Sequence, residues 1–313
     1  MKKPFFSSSC LFVCCLFILS FSHLSNLMGR SPIPVVPFDQ SMARNYNYSY
    51  KFSKRDPTWR LYRELFTTYS MRHVPKDAQY LIPKIIHFVW LGSPLPERCK
   101  KIIDSWKKFH PTWQIKLWTD ADVDLFKLEN RAAFDKAINY GEKSDIWRYE
   151  ILRRFGGLYV DTDFECLQPF DNIHKSCELY AGIAYTRATL LYNGLIGATP
   201  RHPILELCVK TIRVGPGDQD RNRIMGETGP CHFTYCFNAL AAQYRGKVVP
   251  FPSTYLYPFP NTKRRETDPT IIKKRWLKPE SLALHYWATS WVVRKPQNNK
   301  PKRSSTHKHS QKK

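Results

Sequence analysis

From Leu81 onward, the spacing of apolar and polar positions alternates between the period of a strand and the period of a helix, which is typical of α/β domains. The apolar run Ile82–Leu91 predicts a first strand, and Glu97–Phe109 predicts a helix that begins after two prolines. Gln114–Trp118 predicts a second strand. We therefore expect a single α/β domain with strands and helices in alternation.

The strongest helix prediction covers Glu142–Phe155, where apolar residues recur at a spacing of four. Gly156-Gly157 ends this helix by allowing left-handed backbone. Leu158–Val160 then predicts a short buried strand that carries Asp161 and Asp163 at its carboxyl end, where open α/β sheets bind ligands. Further strands and helices are expected downstream, the strands at Leu179–Tyr185 and Gly194–Ala198 and the helices at Ile204–Arg213 and Cys231–Tyr244.

The ends of the chain differ in composition from this domain. Lys2 and Lys3 precede an uncharged, partly apolar stretch, which predicts either a cleaved signal peptide or an uncleaved signal anchor. An anchor gives a single-pass membrane protein with a short cytoplasmic N-terminus, in the Golgi or secretory pathway of a eukaryote, and cleavage gives a secreted protein. The expected division is targeting segment 1–30, stem with a short helix 31–80, catalytic domain 81–293 and basic disordered tail 294–313.

The net charge and the cysteine content exclude few classes of binding partner. Lys and Arg number 49 against 26 Asp and Glu, and the surplus of +23 favours anionic partners such as phosphates or an acidic membrane. The cysteines outside the N-terminal segment contain no CxxC pair, which argues against a zinc site and leaves disulfides open.

The candidate chemistry centres on Asp161 and Asp163. Carboxylates at positions i and i+2 of an extended segment point the same way, so they can bind one hard divalent cation together. Mn²⁺ or Mg²⁺ completes its coordination with water and substrate phosphates, so two carboxylates form a sufficient half-site. The alternative is a polar turn that follows a strand.

Asp145 and Arg148 occupy one face of the preceding helix, at i and i+3. Asp145 can accept hydrogen bonds from sugar hydroxyls, and Arg148 can donate to sugar or phosphate oxygens. The alternative is a surface ion pair on a helix capped by Ser144.

At this point, several ordered motifs resemble the DXD-containing glycosyltransferases of family 32. The resemblance runs from about Leu81 to Trp291 and rests on the following segments: Ile82–Gly92, Ser105-Trp106, His110-Pro111, Leu117–Asp120, Lys143–Asp145 with Arg148-Tyr149, Phe155–Asp163, Asn193, His202-Pro203, Thr228–Pro230, His285–Trp287 and Ser290-Trp291. The spacing of the central residues is also similar to that of clostridial glucosylating toxins.

The resemblance implies a GT-A type, Rossmann-like fold, a Mn²⁺ or Mg²⁺ cofactor and retention of anomeric configuration. Its members include Golgi mannosyltransferases, inositol-phosphoceramide mannosyltransferases and galactosyltransferases of glycolipids. The expected donor is a nucleotide-sugar, GDP-mannose first and a UDP-hexose next, and the expected acceptor is a glycan or glycolipid. Front-face attack and a short-lived covalent intermediate both stay open.

The resemblance also implies roles for particular residues. Asp163 is expected to ligate the metal, Asp161 to contact the ribose or a metal-bound water, and Asp145 with Arg148 to hold the donor sugar. We place further residues in the site, namely Ser144, Tyr159, Asn193, Ser290 and Trp291 at the donor and His285 at the metal. For Tyr159, His285 and Trp291 the alternative is ordinary packing of strands and apolar edges.

A function of another class competes with this hypothesis. A basic, aromatic-rich protein without catalysis could bind acidic lipid or nucleic acid through its stem and tail. The acidic residues Asp145, Asp161 and Asp163 argue against nucleic acid, since they repel phosphate unless a cation intervenes. We therefore expect an enzyme and no nucleic-acid partner.

Overall fold

The structure is a computed structural model that describes residues 34–44, 56–185, 189–215 and 221–288. The described strands are β1 Ile85–Val89, β2 Gln114–Trp118, β3 Gly157–Val160, β4 Phe164–Cys166, β5 Leu179–Tyr185, β6 Thr189–Ala198, β7 Val248–Phe251 and β8 Ala283–His285. The described α-helices are α1 Phe38–Arg44, α2 Pro57–Ser70, α3 Glu97–Phe109, α4 Val123–Phe126, α5 Arg131–Lys136, α6 Tyr140–Phe155, α7 Asp171–Ser176, α8 Pro203–Thr211, α9 Arg221–Glu227, α10 Pro230–Leu240, α11 Ser253–Leu256 and α12 Pro269–Trp276. Short 3₁₀ helices cover Asp120–Asp122, Ala241–Tyr244 and Asn261–Lys263.

A six-stranded mixed sheet in the order β2-β1-β3-β6-β5-β7 forms the centre of the molecule. β1 is parallel to β2 and β3, β5 is parallel to β7, and β6 runs antiparallel to both of its neighbours. β3 and β6 are buried on both faces over most of their length, which explains their continuous apolar sequence. The expected α/β class is confirmed, with a mixed rather than a purely parallel sheet.

A second, two-stranded sheet pairs β4 with β8 in antiparallel register. Phe164 lies opposite His285, and the backbone amide of Tyr286 donates to the carbonyl of Asp163. This pairing brings the C-terminal segment beside the acidic turn between β3 and β4. It therefore joins two regions that are far apart in the sequence.

The helices before residue 81 pack on the domain. Trp59 and Phe66 of α2 are buried in the same hydrophobic core as the sheet, and Phe38 of α1 stacks edge-on against Trp59. The hydroxyl of Tyr62 donates to Asn238 of α10. The short helix expected in the stem is thus present as α2, and it packs against the core of the domain.

Most predicted elements recur with shifted ends. The first strand begins at Ile85 rather than Ile82, and β6 begins at Thr189, five residues before its predicted start at Gly194. Asn193 is a polar residue inside β6. Its side chain is buried there and is hydrogen-bonded to Asp145. The helix predicted over Cys231–Tyr244 is α10 followed by a 3₁₀ turn.

The predicted targeting segment and tail lie outside the described residues. Among the residues that the structure describes, helices are too short or too polar to span a bilayer. The six cysteines from Cys99 to Cys236 are free thiols, so the disulfides left open by the sequence do not form among them.

Candidate active site

Asp161 lies at the point where β3 ends against β6. Its backbone amide donates to the carbonyl of Gly194, and its carboxylate lies over Gly194 so closely that a Cβ there would meet Oδ2 at 2.6 Å. Glycine at position 194 therefore leaves the space in which the Asp161 carboxylate lies. Its other carboxylate oxygen accepts from the hydroxyl of Tyr159 at 3.0 Å.

Asp161, Asp163 and His285 form an acidic group with one imidazole. One ligand atom from each of the three lies within 4.8 Å of the other two. Nε2 of His285 is 3.0 Å from Oδ1 of Asp163, and the backbone amide of Ala288 donates to Oδ2 of Asp163 at 2.7 Å. The β4–β8 pairing holds this arrangement, and the His285 ring stacks on Phe164.

The pKa values of the two carboxylates in this group are shifted in opposite directions. Burial raises the pKa of Asp161, and the neighbouring Asp163 adds to the rise. Burial also acts to raise the pKa of Asp163, but His285 and the Ala288 amide outweigh it, so the pKa of Asp163 is lowered. Asp163 is therefore the more firmly ionised of the two.

A second cluster lies deeper, on α6 and β6. Asp145 is paired with Nη2 of Arg148 at 3.0 Å and accepts from the side-chain amide of Asn193 at 2.8 Å. The hydroxyl of Thr228 donates to the second oxygen of Asp145. Tyr149 accepts from the same amide of Asn193, so each polar group in the cluster has a partner.

Arg148 connects the two clusters. Its guanidinium donates to the carbonyl of Asn193, lies 3.2 Å from Asp161 and packs over the ring of Tyr159 at 4.4 Å. Burial acts to lower the pKa of Arg148, but the facing acidic groups, with Asp161 first, raise it overall. Burial raises the pKa of Asp145 to about 7, although Arg148 opposes that change.

The structure corrects the alternative interpretations of this helix. α6 begins at Tyr140 and is capped by the side chain of Asn139, so Ser144 lies inside the helix and does not cap it. Asp145 and Arg148 form a buried pair, since their side chains are 10% and 5% exposed, and not a surface ion pair.

A loop after β1 forms one edge of the site. Gly92 has a φ of 79°, and its amide donates to the carboxylate of Asp120 at 2.8 Å. A Cβ at Gly92 would overlap the ring of Tyr140 at 2.1 Å, so only glycine allows this approach. The contact joins the loop after β1 to the turn after β2, and of these two residues Gly92 lines the cavity.

Both clusters open into a cavity of about 500 Å³, a volume in the range of small-molecule and cofactor sites. Most of the residues expected in the site line this cavity: Ser144, Asp145, Arg148, Tyr159, Asp161, Asp163, Asn193 and His285. Ser290 and Trp291 lie outside the described residues. Trp90 lies in the cavity wall, whereas Trp106 and Trp113 are buried.

Several lining residues were missed by the sequence analysis. Tyr192, Met225, Asn261 and Trp287 face the cavity, and Trp287 adopts a positive φ of 56° while its indole donates to a backbone carbonyl. Tyr192 precedes Asn193 in β6, and neighbouring residues of a strand normally point to opposite faces, so this adjacency gave no signal. Asn261 and Met225 lie in segments without a distinctive pattern, so the sequence gives no signal for them.

The donor atoms at the acidic end fit a divalent cation. Carboxylate oxygens suit Mg²⁺ and Mn²⁺, and the imidazole nitrogen of His285 favours the transition metal of the two. Water and the phosphate oxygens of a ligand in the cavity would complete the coordination of such a cation. Fold and site thus define an α/β domain of the DXD type, with an acidic group whose ligand atoms fit a divalent cation next to a buried carboxylate–guanidinium pair.

Comparison with known proteins agrees with this class. Residues 96–179 match the family described as glycosyltransferase sugar-binding region containing DXD motif. The match includes α6, β3 and the acidic turn. It confirms the resemblance drawn from the motifs.

Two curated yeast proteins are similar to the chain. Inositol phosphoceramide mannosyltransferase 1 of Schizosaccharomyces pombe is 34% identical over 131 residues, which cover 40% of each chain. Mannosyl phosphorylinositol ceramide synthase CSH1 of Saccharomyces cerevisiae is 33% identical over 160 residues, covering 48% of this chain and 41% of the relative. The chain thus spans about two fifths of the length of the curated relatives that it matches.

Solved glycosyltransferase structures are also found. The PaToxG glycosyltransferase aligns over 62% of this chain and 82% of its own, with a TM-score of 0.42 and 19% sequence identity.

Proposed function

We propose that the protein is a metal-dependent, retaining glycosyltransferase of GT-A type. It transfers a hexose, mannose first, from a nucleotide-sugar to a glycan or glycolipid acceptor. The observation that carries this proposal is the convergence of Asp161, Asp163 and His285 at the mouth of a cavity whose inner wall holds Asp145 and Arg148.

The two clusters bind different parts of the donor. Asp163, Asp161 and His285 are the residues that hold Mn²⁺ or Mg²⁺, which neutralises charge on the departing nucleoside diphosphate when bound. Asp163 suits direct ligation because its carboxylate is ionised and held by His285 and the Ala288 amide. Without a cation the diphosphate would meet two carboxylates, and the repulsion would prevent binding.

The buried cluster holds the sugar. Asp145 accepts from sugar hydroxyls, and Asn193 and Thr228 fix its orientation by hydrogen bonds. Arg148 is fixed by Asn193, Asp145 and the ring of Tyr159, so it meets the ligand in one orientation. A site prepared in this way loses little conformational entropy when the donor binds.

The preference for mannose and for a glycolipid acceptor rests on the similar yeast proteins, whose names give inositol phosphoceramide as the molecule that is mannosylated. GDP-mannose is the first donor to test, and a UDP-hexose is the next. Exposed apolar residues at the cavity rim, Ile138 and Tyr140, suit an acceptor with an apolar portion.

Attachment to a membrane belongs to the same proposal. The uncharged apolar stretch within residues 1–30 supports a signal anchor that places the enzyme in the Golgi or secretory pathway. An enzyme that modifies lipid benefits from such an anchor, because enzyme and acceptor are then confined to one surface.

A panel of sugar nucleotides tests the proposed activity. The purified chain is incubated with GDP-mannose, UDP-galactose or UDP-glucose, with Mn²⁺, with Mg²⁺ or with a chelator, and release of the nucleoside diphosphate is measured. We expect turnover of one donor that requires the metal. Absence of metal-dependent hydrolysis or transfer with every donor would overturn the proposal in favour of a binding protein.

A matched pair of substitutions separates the loss of the Asp163 carboxylate from the general effect of removing one negative charge. Asp163→Asn removes one charged ligand, whereas Asp104→Asn removes the same charge from an exposed position on α3, where it pairs only with Lys107. Activity should disappear in the first variant and persist in the second.

A further inference from the structure

Two cysteines and one histidine meet in the core behind the donor site. Cys208 lies on α8, and His232 and Cys236 lie four residues apart on α10, on one face of the helix. All three are buried, and one ligand atom from each lies within 4.8 Å of the other two. The absence of CxxC pairs had argued against such a site, but helix packing brings together residues that the sequence separates.

The contacts within this cluster centre on sulfur. Sγ of Cys236 lies 3.9 Å from Nε2 of His232 and 3.5 Å from the hydroxyl of Thr211. Nε2 of His232 is also 3.0 Å from the carbonyl of Cys208. The cluster thus places two thiols, an imidazole, a hydroxyl and a carbonyl around one small volume.

We propose that Cys208, His232 and Cys236 bind a thiophilic cation, Zn²⁺ or Cu⁺. Thiolate and imidazole are the ligands that such cations prefer, in contrast to the carboxylates of the DXD group. With metal–ligand bonds of about 2.0–2.3 Å, the ligand atoms of a tetrahedral site lie ~3.5 Å apart, so the cluster must contract by ~1 Å. Side-chain rotation in three residues supplies that contraction, and the metal displaces the hydrogen bond from His232 to the Cys208 carbonyl.

The coordination number separates the two cations. Cu⁺ is satisfied by two sulfurs and one nitrogen, whereas tetrahedral Zn²⁺ needs a fourth ligand. The hydroxyl of Thr211 is the nearest side-chain group for that position.

The cation would join α8 to α10, and the start of α10 borders the donor site. Thr228, just before α10, donates to Asp145, and its carbonyl accepts from the hydroxyl of Tyr149. The ring of His232 lies 5.8 Å from that of Tyr149. The proposed cation is therefore structural, and its role is to fix the edge of the site formed by Thr228 and Gly229.

Metal content tests the proposal independently of transferase activity. The full chain carrying Asp163→Asn, which weakens the acidic site, is purified under reducing conditions, loaded with Zn²⁺ or Cu⁺ and dialysed. Elemental mass spectrometry should find about one equivalent of one of these metals per chain, as a single site requires. Cys208→Ser or Cys236→Ser should reduce it to less than about a tenth, because each removes one thiolate ligand.

Cys231→Ser is the matched control, because Cys231 is half-buried, adjacent to His232 in sequence and outside the cluster. It should retain the full metal content. If the cluster variants fail to fold, Co²⁺ is added to the metal-depleted parent and to Cys231→Ser, and both should show thiolate-to-cobalt charge-transfer absorption. The proposal is overturned if the parent holds no stoichiometric metal, if Cys231→Ser loses it equally, or if peptide mapping finds a Cys208–Cys236 disulfide.

Discussion

The two ends of the donor site differ in how completely their charges are balanced. At the inner end, Asp145 is almost fully buried and bonded to Arg148, Asn193 and Thr228. At the outer end, Asp161 and Asp163 are partly exposed, with side chains that are 29% and 17% accessible. The guanidinium of Arg148 lies 3.2 Å from Asp161, whereas Asp163 is paired with His285.

This difference separates stability from binding. A buried charge pair is part of the fold, because removal of one partner leaves the other uncompensated in the interior. The two carboxylates at the outer end repel each other in the absence of a cation, and this repulsion offsets part of what their contacts with Arg148, His285 and the Ala288 amide contribute to the fold. Substitutions at the inner end are therefore expected to destabilise the fold, whereas substitutions at the outer end are expected to weaken ligand binding.

The largest effect is expected for Asp163→Asn on activity. Because the substitution removes the charge of the residue proposed to ligate the metal, turnover should fall at least about hundredfold, in the range seen when one charge-stabilising group is removed. The melting temperature should stay close to the wild-type value. Steady-state kinetics with Mn²⁺ and thermal melting of the same preparation measure both quantities. Wild-type turnover in this variant would refute the assignment of Asp163.

Arg148→Ala should give the largest loss of stability. It leaves Asp145 buried without its charged partner, for which about 3–5 kcal/mol of destabilisation is typical. Urea unfolding gives the free energy. Arg131→Ala serves as the control, because Arg131 makes its ion pairs with Asp124 and Asp135 on the surface, and its loss should change stability little. Equal stability of the two variants would contradict the contrast between buried and exposed pairs.

Gly194→Ala should have an intermediate effect that is confined to the outer end. The added Cβ meets Oδ2 of Asp161 at 2.6 Å, so the carboxylate must move away from its position beside Asp163. We expect the apparent affinity for Mn²⁺ to fall about tenfold, comparable to the loss of a group that orients a ligand.

Gly226→Ala is the control for this substitution, because a Cβ at Gly226 meets no atom within 4 Å. A titration of activity with Mn²⁺ compares the two variants. Identical titration curves would show that the space above Gly194 does not position Asp161.

The smallest effect is expected when the residues after Arg294 are removed. This segment is basic, carries no acidic residue and lies outside the resemblance on which the site is based. Donor hydrolysis should stay within a few-fold of the full chain, whereas binding to vesicles with acidic lipid should weaken. A collapse of hydrolysis on truncation would place part of the tail in the site.

The sequence was most informative where the relevant contacts are local. Asp145 and Arg148 share one helix face, so their spacing alone brings them together. Asp161 and Asp163 were expected to point the same way in an extended segment, but they lie in a turn that is closed by the hydrogen bond from the Phe164 amide to the Asp161 carbonyl. The start of α6 was placed two residues late, because Asn139 caps the helix and Ser144 does not. Such boundaries depend on which side chain reaches a free amide, and several polar residues compete there.

Non-local contacts were beyond the reach of pattern analysis. His285 was placed near the metal only because of a family resemblance, and its position depends on the β4–β8 register. The cluster of Cys208, His232 and Cys236 depends on the packing of two helices, which neither hydrophobic period nor cysteine spacing specifies. The sequence does not show that Trp90 lines a cavity, because its neighbours in the chain are apolar, as they are around a buried tryptophan.

The β4–β8 pairing also has a consequence for the order in which the protein is made. His285 is 122 positions beyond Asp163, so a growing chain carries the acidic turn long before its imidazole partner has been synthesised. Contacts of such separation form late, because closing a long loop is entropically costly. On the ribosome, the central sheet can assemble while the metal site is still incomplete. The chain would then be able to bind the proposed cation at all three residues of the group only when β8 has left the ribosome.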